Sequence, residues 1–119
     1  LHVASAPSPE ARGVQVVCGI GSSSEEQAAT APGCAYAQRS LAIAEQMADA
    51  LAEALDAERW PVFQVPSAIF RNVPMPAILI EVGFLSNADE AALLQTPEYQ
   101  QKIVSAIASA LHAPEEVDS

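Results

Sequence analysis

The sequence predicts an α/β fold whose mostly parallel sheet is flanked by helices. Two observations predict it. Short β-branched or apolar runs at 14–17, 62–65 and 76–82 alternate with segments of helical period. The run Pro76-Ala77-Ile78-Leu79-Ile80-Glu81-Val82 is apolar almost throughout, which reads as a strand buried on both faces.

Taken in order, Leu1-His2-Val3 has the character of the last residues of a strand, and no initiating Met precedes it. The chain is therefore expected to begin in mid-fold. Prolines at 7 and 9 make the next segment a loop. Gly13 then opens the strand Val14-Gln15-Val16-Val17. Residues 19–33 carry almost nothing apolar and read as a long surface loop.

From about Ala35 to Ala57 the chain is rich in Ala, Leu, Glu and Gln. Leu41, Ala44, Ala48, Leu51 and Leu55 share one helical face. Val62-Phe63-Gln64-Val65 is a short strand or an extended segment. Residues 67–76 form a linker in which Pro74 and Pro76 argue against helix. The Glu81 strand is expected to end near that carboxylate, in a turn built from Gly83, Ser86 and Asn87.

Asn87 with Glu90 at the third helical position reads as a capping box, starting a short helix through Leu94. Thr96-Pro97 starts another, with Thr as N-cap and Pro at the first helical position. Tyr99, Ile103, Ile107 and Leu111 are its expected buried stripe, and Pro114 stops it. Residues 1–113 thus form one unit, followed by a polar tail at 114–119.

Composition excludes several functions. Fifteen acidic residues against five basic ones give a net charge of −10. Nucleic-acid binding relies on Lys and Arg neutralising phosphates, so it is not expected here. No apolar run approaches the ~20 residues that span a bilayer. The two cysteines, Cys18 and Cys34, have fifteen residues between them, which excludes a CxxC motif. Two free buried thiols and a disulfide across the loop both remain open.

Three ionisable residues stand out. Glu81 interrupts an apolar strand, where a carboxylate needs either a structural partner or a task. In open α/β sheets the chemistry lies beyond the carboxyl ends of the strands. His2, at a strand end before small residues, is a structural histidine or a metal ligand. Arg71 is a surface charge, a partner for Glu81 or an anchor for a substrate carboxylate.

Met75-Pro76-Ala77-Ile78-Leu79-Ile80-Glu81-Val82-Gly83-Phe84-Leu85-Ser86-Asn87 closely resembles the signature of the zinc-dependent N-acetylmuramoyl-L-alanine amidases of bacterial cell walls. Glu90-Ala91-Ala92-Leu93-Leu94 and Pro97-Glu98-Tyr99-Gln100-Gln101-Lys102-Ile103 extend the likeness, and Leu1-His2-Val3 resembles the strand end carrying a zinc-ligating His. The resemblance implies a zinc-exopeptidase-like fold, of which residues 1–113 would be the C-terminal part.

It also implies a zinc ion held by two His and one Glu, with a further Glu in catalysis. By position His2 would be the last ligand and Glu81 the catalytic Glu, the other ligands lying upstream. The family usually has Asn two residues after that His, then Ala. Here those positions are Ala4 and Ser5.

The implied reaction is hydrolysis of the amide between N-acetylmuramic acid and L-alanine of the peptidoglycan stem peptide, in the periplasm or outside the cell. An activator or a wall-binding module would lie outside this chain. In such an exported protein Cys18 and Cys34 are expected to pair. The alternative is an inactive homologue that binds peptidoglycan or has a regulatory role.

Overall fold

The computed structural model describes residues 1–21 and 31–112. The middle of the loop expected at 19–33 and the tail at 114–119 lie outside the described residues. Four strands, β1 (His2–Ala4), β2 (Gln15–Gly19), β3 (Phe63–Val65) and β4 (Ile78–Phe84), form one sheet in the order β1-β4-β2-β3. The β1–β4 and β2–β3 pairs are parallel, whereas the central β2–β4 pair is antiparallel. The helices are α1 (Ala37–Leu55), the single turn α2 (Ala68–Arg71), α3 (Ala88–Leu94) and α4 (Pro97–His112).

Alternation along β2 turns Val16 and Cys18, with Val14 before them, toward α1. On β4 it turns Ile80 and Val82 the same way. Ala44, Met47, Ala48, Leu51 and Leu55 of α1 meet them, joined by Tyr99, Ile103 and Ala106 of α4. Each large apolar side chain buried here contributes about 1.5–3 kcal/mol. The small residues of α1 let it lie close to β2, and Met47 fills the remaining gap.

The helix ends follow their local chemistry. Ser67 accepts from the Ile69 amide at 3.3 Å, Asn87 from the Glu90 amide at 3.0 Å, and Thr96 from the Tyr99 amide at 3.3 Å. The chain leaves α1 through Asp56 in the left-handed region at φ 49°. Ser40, buried in the first turns of α1, accepts the Ala77 amide at 3.0 Å and ties the helix to the start of β4.

Five expectations need correction. The segment 67–76 does contain helix. Ser67 caps the single turn α2, and both prolines fall after it, where they cannot break its hydrogen bonds. Leu111 is 62% exposed, because a spacing of four advances about 40° per step around a helix. Ala106 takes the inward position instead.

Next, β4 does not end at Glu81 but continues to Phe84. Nor is it covered on both faces by the described residues, since Leu79 and Glu81 are only half-buried on the face away from the core. Finally, Cys18 and Cys34 are both free and buried. Cys18 belongs to the main core cluster, whereas Cys34 lies outside it in a short 3-10 helix at Pro32–Tyr36.

Two glycines are required by geometry. Gly13 sits at φ 113°, and a Cβ there would lie 2.5 Å from the Glu58 carbonyl oxygen. A Cβ on Gly33 would lie 1.7 Å from the Phe70 oxygen, so the 3-10 helix seats directly on the backbone of α2. Gly13→Ala should therefore destabilise the fold by about 1–3 kcal/mol from backbone strain alone, measured by denaturant unfolding.

The thiols supply a second test. Burial chiefly, and then Glu45, push the Cys18 thiol above its ordinary value. Alkylation of Cys18 in the folded protein at mildly alkaline pH should be far slower than in the unfolded chain. The stability tied to this neutral thiol is complete below its ordinary pKa of 9.0 and is lost as pH rises through the raised value. Denaturant midpoints should fall across that alkaline range, and Cys18→Ala should flatten the fall.

Candidate active site

The sheet places three polar residues in one row. Glu81 on β4 is opposite His2 on β1 and opposite Gln15 on β2. His2 is exposed, while Glu81 and Gln15 are half-buried. The row arises because β4 is an inner strand with a neighbour on each side. A carboxylate is held at its centre by backbone ladders in both directions. Among the described residues no hydrogen bond or ion pair occupies the side chain of His2 or Glu81. Both remain available to a ligand.

The chain leaving β1 is gripped by the turn that leaves β4. The Leu85 amide donates to the Ala4 carbonyl at 2.8 Å, and the Ala6 amide to Ser86 Oγ at 3.0 Å. Asn87 Nδ2 donates to the Pro9 carbonyl at 3.2 Å. Glu90 closes the series. Its carboxylate accepts the Gly13 amide at 3.0 and 3.1 Å and the Phe84 amide at 3.0 Å. At 3% exposure it is the most buried charged residue described. Trp60 adds an indole hydrogen bond to the Arg12 carbonyl at 2.7 Å and a tilted ring contact with Phe84 at 5.7 Å.

Sequence reasoning read Glu90 only as a capping acid and left Gln15 unmarked. One signal for Glu90 was present: it lies four residues before Leu94, on the inward face of α3. Gln15 could be found only from the strand register.

Arg71 is not part of the row. It is exposed at the end of α2, beside Phe70, which packs over Gly19 at the end of β2. Gly19 lies four residues beyond Gln15, or ~13 Å along the strand. This removes the reading of Arg71 as a partner for Glu81. A groove of about 540 Å³ lies on the helical side of β1, lined by Leu1, His2, Val3, Val82, Ile103 and Val104 among others. It is mainly apolar, and Glu81 does not line it.

A catalytic zinc site requires three protein donors. No group of three or more His, Cys, Asp or Glu side chains suited to a metal exists among the described residues. His2 fits the part of a single donor: it is exposed, uncommitted and opposite a carboxylate. The described residues therefore suit one corner of such a site and not the whole.

The model of the N-acetylmuramoyl-L-alanine amidase family matches residues 1–113. The germination-specific N-acetylmuramoyl-L-alanine amidase of Bacillus subtilis (strain 168) is 56% identical over 39 residues, 33% of this chain and 16% of that protein. The catalytic domain of CwlV, an N-acetylmuramoyl-L-alanine amidase from Bacillus (Paenibacillus) polymyxa var. colistinus, superposes with a TM-score of 0.67 at 25% identity. That likeness covers 92% of this chain and 51% of the relative.

The CwlD amidase of Clostridioides difficile, solved in complex with the GerS lipoprotein, shares the fold with a TM-score of 0.70 at 22% identity. Here 92% of this chain and 49% of the relative are covered. The chain thus spans about half the length of these solved relatives. Because the family model runs from the His2 strand through the last helix, this chain belongs to the N-acetylmuramoyl-L-alanine amidase family.

Proposed function

We propose that the protein hydrolyses the amide bond between the lactyl group of N-acetylmuramic acid and L-alanine in peptidoglycan, with Glu81 as general acid–base and His2 as a metal ligand. The observation that carries this reading is the placement of Glu81 opposite His2 on adjacent parallel strands.

The carboxylate of Glu81 is half-buried and uncommitted, so it can reach a substrate while its backbone stays fixed. In the proposed reaction Glu81 takes a proton from the attacking water and delivers it to the departing amine of L-alanine. His2 would hold zinc through an imidazole nitrogen, together with donors from outside the described residues. When bound, zinc would supply Lewis acidity toward the scissile carbonyl and lower the pKa of water. Gln15, on the other side of Glu81, offers an amide that can orient the carboxylate or a substrate peptide group.

Peptidoglycan as substrate implies action in the periplasm or outside the cell. No described helix is long and apolar enough to cross a membrane. A net charge of −10 gives this chain no electrostatic pull toward an anionic polymer, so targeting by a separate wall-binding module fits the charge. A related amidase was solved with a lipoprotein partner, which supports including an activator in the proposal.

Glu81→Gln keeps size and hydrogen-bonding reach but removes the proton acceptor. In the full-length protein it should lower peptidoglycan hydrolysis ~10²–10⁴-fold while zinc content and melting temperature stay near wild type. His2→Ala should reduce zinc content and activity together. Wild-type turnover in Glu81→Gln, or loss of its zinc, would refute the assignment. Full zinc content with peptidoglycan binding but no cleavage by the wild-type protein would favour the binding-only alternative.

A separate measurement addresses the donor count. The 119-residue chain by itself should retain no stoichiometric zinc after dialysis, measured by elemental analysis, because one imidazole cannot compete with water and buffer. Tight equimolar zinc would mean that His2 is not the only donor this chain provides.

A further inference from the structure

The ladder between β1 and β4 is irregular. His2 pairs with Glu81 and Ala4 with Phe84, so two steps along β1 match three along β4. One extra β4 residue is accommodated between the two pairs. If the pairing ran regularly back from Ala4 and Phe84, His2 would stand opposite Val82. The irregularity therefore decides which residue of β4 stands opposite His2. Such extra residues commonly occur where a side chain must be re-aimed beside a site.

Three residues of an edge strand cannot hold that register alone. The bonds that can hold it lie just past the irregular step. Leu85 ties Ala4 through the backbone, the Ser86 hydroxyl ties Ala6, and the Asn87 amide ties Pro9. A one-residue slip of β1 would have to break all three. Asn87 is 7% exposed and fully engaged, since its oxygen also caps α3.

We infer that Ser86 and Asn87 are positioning residues: their side chains hold the chain leaving β1 against the turn leaving β4 and so keep His2 opposite Glu81. The catalytic meaning of that pairing rests on the function proposed above, but the register itself does not. Ser86 and Asn87 act through His2 and touch no reacting atom.

The test uses the full-length protein and two kinds of variant. Ser86→Ala combined with Asn87→Asp removes the hydroxyl acceptor and the amide donor. The carboxylate introduced by Asn87→Asp still offers a capping oxygen to α3. Ser86→Thr keeps the hydroxyl. The direct readout is the nuclear Overhauser contact between backbone protons of His2 and Glu81, compared with that of Val17 and Leu79 on the β2–β4 pair.

In the double variant the His2–Glu81 contact should fall at least ~5-fold relative to the control pair, and Ser86→Thr should retain it. Turnover of the double variant should drop ~10–100-fold with KM unchanged, as when partners that orient a metal ligand are lost. The inference is overturned if the His2–Glu81 contact persists at wild-type strength in the double variant. It is equally overturned if that contact disappears only together with the Val17–Leu79 contact, which would mean general loosening. An active Glu81→Gln variant would refute the proposed function and leave the register result standing, so the two failures are distinguishable.

Discussion

The carboxylate of Glu90 joins parts of the chain that are distant in sequence. It accepts the amide of Gly13 just before β2 and the amide of Phe84 at the end of β4, while its own amide is capped by Asn87. A charge this deeply buried is tolerable because backbone donors satisfy it, and removing them would leave a strongly destabilising unpaired group. Much of the local architecture is organised around that requirement. Gly13 adopts a positive φ with its amide directed at the carboxylate. Gly83 leaves space beside it, with any Cβ there meeting a Glu90 oxygen at 3.5 Å.

The sheet divides its labour between two faces. Toward α1 and α4 it presents Val14, Val16, Cys18, Ile80 and Val82, which supply most of the burial that holds the described residues together. Toward the other side it presents Gln15 and Glu81, half-buried and uncommitted to the core. A carboxylate on the core face would have to pair or lose its charge. On the open face it keeps its access to ligands. Rigid backbone on both sides of Glu81 then gives the proposed acid–base group a fixed position at little cost in accessibility.

The segment 83–90 illustrates how structure and proposed function share residues. Gly83 to Glu90 end a strand, turn, cap a helix and hold the β1–β2 connection, which is distant in sequence. A substitution there disturbs several of these roles at once. The resemblance seen in this stretch of sequence thus has a mechanical basis beyond Glu81 itself. Ala4, where the family usually has Asn, keeps its backbone carbonyl in this arrangement by accepting the Leu85 amide. The hydrogen bond from Leu85 to this position therefore survives that departure from the family pattern.

Much of this was legible in the residues alone. The alternation of elements, the inward face of α1, the caps at Asn87 and Thr96 and the place of Glu81 within a strand all follow from local signals: side-chain period, turn chemistry and a charge inside an apolar run. What those signals could not carry was decided by contacts distant in sequence. The antiparallel β2–β4 pairing brings Gln15 to Glu81, and the irregular β1–β4 ladder brings His2 there from the other side. Glu90 looks locally like an exposed capping acid and becomes a buried tether only because Gly13 folds onto it. Arg71 is near Glu81 in sequence yet lies toward the far end of β2, because the antiparallel turn of the sheet carries β4 away from it. Sequence period sets which face of an element is apolar. Register between strands is a property of pairs, and only the tertiary structure contains them.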